Sequence, residues 1–266
     1  MLVIGLFILL AVGLYALVVY RQPGLPIVFL RNDRGAQEKT KVLLLTAHPD
    51  DECMFFAPTV LLLARQPEVE IHLFCVTKGD HERLGDTRMR ELEKSCAVLG
   101  IDIRRVTVLD HPDFKDDPKA RWNTALLGRL IEEHVVKHSI SRVITFDWQG
   151  ISGHINHIAL ERSVRHMLAT SQRVNAISLP TYTLTTVPLV RKYFSLGDIL
   201  FSVPIRYVIG SALEREDDNI MVVASPDDYR RGVHAMRQHA SQMVWFRQLY
   251  VIFSRYMFIN VLQRVG

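Results

Sequence analysis

KVLLLTAHPDDE, residues 41–52, decides the fold. Its first half, Val42 to Thr46, is a short unbroken apolar run. A strand with one wet face alternates apolar and polar residues, whereas a continuous run marks a strand covered on both faces, as in parallel sheets. The second half turns polar at once, which sets a charged loop directly beyond the strand's carboxyl end. The residues after it read as a helix through Arg65. The same alternation continues outward. Ile71 to Thr77 reads as a second strand, Thr87 to Leu99 as a helix stopped by Gly100, and Arg105 to Leu109 as a third strand. Asn123 to Lys137 is expected to be a helix, Arg142 to Phe146 a fourth strand, Ile155 to Leu168 a helix and Ala176 to Leu179 a fifth strand. Apolar strands separated by helices predict an α/β, Rossmann-like three-layer fold with a mostly parallel sheet. Ligands bind beyond the carboxyl ends of such strands, so the chemistry belongs there.

Two polar clusters occupy that position. The first is Ala47-His48-Pro49-Asp50-Asp51-Glu52, between apolar Leu43-Leu44-Leu45 and Met54-Phe55-Phe56. Three adjacent carboxylates in apolar surroundings repel one another, and a cation relieves the repulsion. Histidine and aspartate are both good zinc ligands, and Pro49 stiffens the loop that presents them. Helix capping explains one acid, Glu52 being the natural choice, but not three acids and a histidine. The second cluster is Gly150-Ile151-Ser152-Gly153-His154-Ile155-Asn156-His157, after the fourth strand and Asp147. A helix starting near His154 sets His154 and His157 one turn apart on one face. A His–Asp–His set drawn from both clusters leaves a coordination position open for water, with a carboxylate and a histidine to spare for proton transfer and oxyanion stabilisation. That equipment suits hydrolysis of an amide.

Composition narrows the class. The chain has 266 residues, is 48% hydrophobic and carries a net charge of +4, enough apolar content for a sizeable core and no sign of disorder. The positive charge is spread along the chain and fits anionic membranes or phosphate groups. No basic run with interleaved aromatics points to nucleic acid. Cys53, Cys75 and Cys96 lack CxxC spacing, which speaks against a disulfide scaffold and for a reducing compartment. Residues 1–20 contain no charged side chain and are long enough to cross a bilayer of about 30 Å hydrocarbon thickness. The apolar run begins at the initiator and ends in Tyr20-Arg21-Gln22-Pro23, which reads as an uncleaved transmembrane anchor rather than a signal peptide. Arg21, Arg31 and Arg34 follow it and no basic residue precedes it, so the rest of the chain is expected in the cytosol. Residues 21–40 read as a juxtamembrane linker, and 41–266 as the folded domain.

The motifs AHPDDE, TKGDHERLGDTRMREL and FDWQGISGHINHIAL resemble the PIG-L/LmbE deacetylase family over roughly residues 41–266. The segment SQMVWFRQLYVIFSRYMFINVL is similar to its eukaryotic branch. The resemblance implies a divalent ion, zinc first among the candidates, held by His48, Asp51 and His157. It implies Asp50 as the base that activates water, and His154 as the group that stabilises the oxyanion and assists the leaving amine. Arg88, in Gly85-x-x-Arg88-x-x-Glu91, matches an arginine at the substrate pocket; the plainer alternative is a solvated helix charge paired with Glu91. The implied reaction is removal of acetyl from N-acetylglucosaminyl-phosphatidylinositol, a membrane glycolipid, at the endoplasmic reticulum in assembly of the glycosylphosphatidylinositol (GPI) anchor. Deacetylation of another N-acetylglucosamine conjugate, or sugar binding without turnover, are the competing readings. Bacterial members often carry HPDH where this chain has HINH, which loses no ligand position and matches the eukaryotic branch. Trp245 to Val265 reads as a terminal helix, either amphipathic on the membrane or packed in the core.

Overall fold

The computed structural model describes residues 2–21, 39–117, 119–203 and 219–265. Residues 22–38, most of the expected linker together with Arg31 and Arg34, lie outside them. The described strands are β1 (Thr40–Thr46), β2 (Val69–Cys75), β3 (Val106–Val108), β4 (Arg142–Phe146), β5 (Thr181–Leu184), β6 (Asn219–Val223) and β7 (Ile259–Val265). They form one sheet in the order β3-β2-β1-β4-β5-β7-β6. The first five pair in parallel, and β7 pairs antiparallel with both β5 and β6. The strand order reverses between β1 and β4, and a crevice opens beyond the carboxyl ends at such a switch point. Register sets Leu44 opposite Ile144, so the loops after Thr46 and Phe146, which carry the two polar clusters, leave the sheet side by side.

Helices cover both faces. In chain order they are α1 (Leu2–Arg21), α2 (Asp51–Met54), α3 (Ala57–Ala64), α4 (Gly85–Leu99), α5 (Thr124–His138), α6 (Gly150–Gly153), α7 (Ile155–Thr170), α8 (Gln172–Ala176), α9 (Leu189–Lys192), α10 (Ile199–Ser202), α11 (Pro226–Gln238) and α12 (Trp245–Phe253). Local signals explain their bounds. Gly100 closes α4 in the left-handed conformation, the Asn123 side chain caps α5, and Ser225 with Asp228 forms a capping box on α11. The three cysteines are free and buried.

Two expectations need correction. Ala176 to Leu179 is not a strand. The Ser171 hydroxyl accepts from the Val174 amide and starts α8 there, and the fifth strand is Thr181–Leu184 beyond Pro180. Its threonines are buried between β4 and β7, so polar residues conceal a central strand. Trp245 to Val265 is not one helix. α12 ends at Phe253, and the chain then enters β7. Arg255, which looks like a headgroup contact in sequence, is 1% exposed and pairs with Asp198 at 2.7 Å. Among the described residues no helix is long and apolar enough to cross a membrane, and the described part of α1 lies against the domain. One stripe of α1, with Ala11 and Val18 buried, packs on Ile199, Val203, Val223 and Ile259. The Tyr15 hydroxyl on that stripe donates to the Ala224 carbonyl at 2.7 Å. The opposite face leaves Leu6, Leu9, Leu10 and Leu17 exposed.

Behind the sheet, His134 stacks near His138 and Phe74, its Nε2 buried without a partner among the described residues. Burial, then the charges of His138, His72 and Lys137, hold its pKa down at about 4. The unfolded chain therefore binds the proton first, and stability present above about pH 6.5 is lost as pH falls towards 4. Thermal midpoints should drop between pH 7 and pH 5, and His134→Gln should flatten that slope. An unchanged slope would remove His134 from the account.

Candidate active site

The loop after β1 folds back on itself because Asp51 Oδ2 accepts the Ala47 and His48 amides, both at 2.9 Å. This leaves Oδ1 facing His157 Nε2 at 3.2 Å. Asp50 takes the apex with φ 109°, a left-handed value that aspartate tolerates better than most residues. Glu52 is not a mere cap. It is fully buried, and its carboxylate accepts the Asp50 amide at 3.0 Å, Ser95 Oγ at 2.5 Å and His239 Nε2 at 2.7 Å. It holds the strained turn from behind.

The loop after β4 is anchored by Asp147. Its carboxylate accepts the Gly150 amide at 3.0 Å, and the Thr186 amide and hydroxyl at 2.7 and 2.6 Å. Gly150 has φ 59°, and a Cβ there would stand 2.9 Å from the Cβ of His157. Ile151 also adopts a positive φ of 65°, a conformation a β-branched residue takes only under tertiary constraint. The chain then enters α7 with His154 as its cap, Nδ1 accepting the Asn156 amide at 3.3 Å. One turn on, the His157 ring lies flat against Phe146, 3.8 Å between centroids.

Ring nitrogens of His48, His154 and His157 lie within 4.8 Å of one another. His157 Nδ1 donates to the Gly150 carbonyl at 3.1 Å, so in the neutral ring Nε2 carries a lone pair. That atom is buried without a hydrogen-bond partner among the described residues and faces the Asp51 carboxylate. Two lone pairs so placed repel unless positive charge lies between them. His48 Nδ1 stands 3.7 Å from Asp51 Oδ2. Ligands bound at 2.0–2.1 Å to one tetrahedral ion stand roughly 3.3–3.4 Å apart, so His48, Asp51 and His157 fit a divalent metal.

Residues 43–168 match the family model described as PIG-L, GlcNAc-PI de-N-acetylase. The N-acetylglucosaminyl-phosphatidylinositol de-N-acetylase of Bos taurus is 40% identical over 223 residues, spanning 84% of this chain and 83% of that protein. The chain belongs to the PIG-L deacetylase family. A probable N-acetylglucosaminyl-phosphatidylinositol de-N-acetylase of Schizosaccharomyces pombe is 36% identical over 235 residues, covering 86% of this chain and 90% of its own length. Among solved structures, the N,N'-diacetylchitobiose deacetylase of Pyrococcus horikoshii superposes with a TM-score of 0.57 at 18% identity, over 93% of this chain and 91% of that one. The PIG-L fold is therefore shared beyond recognisable sequence similarity.

Within the PIG-L pocket the two clusters meet Asp116 and Arg247, which sequence reasoning missed, and Asn156 of the second cluster takes a part it was not assigned. Asp116, from the loop after β3, reaches His48 Nε2 at 3.2 Å and Arg88 at 3.4 Å. Its signal was available: Asp113, Asp116 and Asp117 crowd the carboxyl end of the third strand. Asn156, fully buried, also meets His48 Nε2 at 3.0 Å. Arg247, from α12, comes within 3.2 Å of Asp50. No local pattern marks it, because only the tertiary fold brings α12 over the switch point.

Electrostatics separate the roles. Burial raises the Asp50 carboxyl pKa, and the Arg247 and Arg88 charges only partly offset it. Burial lowers the His48 pKa, but Asp116, Asp51 and Asp50 outweigh it and hold the ring above its ordinary value. Asp51 goes the other way: His157 and His48 overcome its burial and hold it well below the carboxylate range. Burial, then the charges of His157 and His48, hold the His154 pKa at about 4. With Nδ1 accepting from Asn156, the neutral His154 ring keeps its proton on Nε2.

Arg88 lines the cavity and is 8% exposed, not solvated. Its guanidinium donates to the Pro49 carbonyl at 2.6 Å and the Gly79 carbonyl at 3.2 Å, while Glu91 instead accepts from Ser241. Gly79 has φ 75°, and a Cβ there would stand 2.6 Å from the Arg88 guanidinium. Gly79→Ala is expected to displace Arg88 and lower kcat/KM by about 10–100-fold, the scale for misplacing a site group. Steady-state kinetics on folded protein checks this; an unchanged value would show that Arg88 does not order the pocket.

Proposed function

We propose that the chain hydrolyses the acetamide of N-acetylglucosaminyl-phosphatidylinositol, giving glucosaminyl-phosphatidylinositol and acetate, the second step of GPI-anchor assembly. One observation carries the reading. A single cavity of about 770 Å³ runs from His48, His154 and His157 to an apolar mouth at Trp245, Phe246 and Phe253. A sugar amide fits the polar end and acyl chains the other. The Bos taurus relative, similar over most of both chains, supports this substrate. The bacterial inositol-glycoside and malate-glycoside deacetylases cover only about half of this chain, 46–48%, which favours the glycolipid over a soluble conjugate.

His48, Asp51 and His157 would hold a divalent cation, zinc in our reading, which would supply Lewis acidity to the amide carbonyl and to the attacking water. Asp50 takes the proton of the attacking water. Its raised pKa suits it to hold that proton and return it to the departing nitrogen as the C–N bond breaks. Neutral His154 donates Nε2–H to the oxygen as negative charge develops there. Arg88 and Asp116 hold the sugar end. We place the enzyme at the endoplasmic reticulum membrane with the domain in the cytosol, on the uncharged run of residues 1–20 and on Arg21, Arg31 and Arg34.

Purified full-length protein in liposomes should release acetate from the glycolipid, lose this activity to a chelator and regain it with added divalent ion. No release by metal-loaded protein, or faster release from soluble sugar conjugates, would sink the assignment. Protease added to sealed microsomes should digest the domain; full protection would reverse the orientation.

A further inference from the structure

Two cations line the cavity: Lys192 on α9, bonded to Ser152 in the histidine loop, and Arg247 on α12, which reaches Asp50 from the helix that carries Trp245 and Phe246 at the apolar mouth. Lys192 is 6% exposed and has no carboxylate partner among the described residues, which is unusual for a buried lysine. Its ammonium donates to Ser152 Oγ at 2.9 Å and lies 5.5 Å from the centre of the Tyr193 ring, which leaves donor capacity to spare in a side chain that lines the cavity. Arg247 spends Nη2 on Asp50, and its Nη1 is buried without a hydrogen-bond partner among the described residues. A buried donor left unpaired costs free energy, and a buried cation with no counter-ion costs more. The two charges also oppose each other: burial first, and then Arg247, pull the Lys192 pKa below its ordinary value. Lys192, with no carboxylate partner among the described residues, and the unpaired Nη1 of Arg247 line the same cavity, a combination suited to an anion.

Position along the cavity identifies that anion. Towards the interior lie the histidines and Asp50, which handle the amide. Towards the exterior, α12 presents Trp245, Phe246 and Leu249 at the rim, all exposed. A charged group that is bonded on one side to a sugar-bearing alcohol and on the other to an apolar tail belongs at the depth of Lys192 and Arg247.

We propose that Lys192 and Arg247 form a clamp for the phosphodiester of the substrate, an anion subsite separate from the metal and from the sugar contacts. This rests on the glycolipid reading above. The clamp fixes how deep the lipid enters, setting the acetamide against Asp50 rather than leaving depth to the greasy mouth. Arginine and lysine suit phosphate oxygens as charge-assisted donors.

The test compares two substrates on the metal-loaded, full-length protein: the phosphodiester glycolipid, and an N-acetylglucosaminyl-inositol conjugate without phosphate. Wild-type protein should favour the first. Lys192→Met should raise KM for the phosphodiester by about 10–100-fold, the scale of one charge-assisted hydrogen bond, and penalise the phosphate-free conjugate at least tenfold less. Lys192→Arg should restore most of the KM. Glycerophosphoinositol should compete with the glycolipid for wild-type protein and lose that potency with Lys192→Met. Equal penalties on both substrates would make Lys192 structural and overturn the clamp. Competition by inorganic phosphate as strong as by glycerophosphoinositol would mark a free-phosphate site instead. Failure of the wild-type enzyme on both substrates would overturn the glycolipid reading itself, a different outcome from loss of the clamp.

Discussion

Asp50→Asn is expected to cut turnover by roughly 10²–10⁴-fold, the usual scale for a general base, while the metal stays bound. The Asp50 side chain makes no capping hydrogen bond to α2, so helix capping does not explain it. Its Oδ2 is buried against Arg88 and Arg247, at 3.6 and 3.2 Å. Asparagine tolerates the left-handed backbone as well as aspartate does, so the apex should survive. What asparagine lacks is the capacity to accept a proton. Steady-state kinetics with elemental analysis separates the two contributions. Near-normal turnover in metal-loaded Asp50→Asn would move the base elsewhere, with His154 the next group in the site.

His157→Ala should abolish stoichiometric metal and with it activity. The loss should exceed the roughly 10–100-fold that an outer-shell change costs, because a ligand itself is removed. Asp51→Asn should behave alike, since Asp51 faces His157 at 3.2 Å and shapes the loop through two amides. His154→Ala is the contrast. Three histidines lie together, yet His154 spends Nδ1 on the Asn156 amide, and its loss should lower turnover while sparing the metal. Metal lost in His154→Ala would replace the His48–Asp51–His157 set by the histidine triad, and metal retained in His157→Ala would overturn both.

Four of the strands and both loops of the site were legible because parallel strands announce themselves as apolar runs, and the switch-point rule converts their ends into an address. β5 escaped its proper place because Thr181 and Thr183 carry hydroxyls into a buried sheet. β7 was concealed by Arg264 and Gln263, side chains at its exposed end, and by Asn260, which is buried to bond Thr59 and the Phe55 carbonyl. Within the site, His48 and Asp51 fall in one short motif and His154 and His157 in another, so both stand out in the sequence. Asp116 and Arg247 are brought in from elements 66 and 197 residues beyond Asp50 (116 − 50 and 247 − 50), and spacing along the chain carries no trace of such meetings.

The placement of β7 has a consequence for how the enzyme comes into being. This strand, residues 259–265, lies between β5 and β6 rather than at an edge. Until those residues have left the ribosome, β6 lacks the strand it pairs with. Pairing Leu184 with Leu262 closes a long stretch of chain, the kind of contact that forms late. A nascent chain can thus carry every metal ligand and Asp50 and still be inactive. A premature stop just before Ile259 should give an insoluble or rapidly degraded product rather than a weakened enzyme, since the sheet would lose the strand that joins β5 to β6.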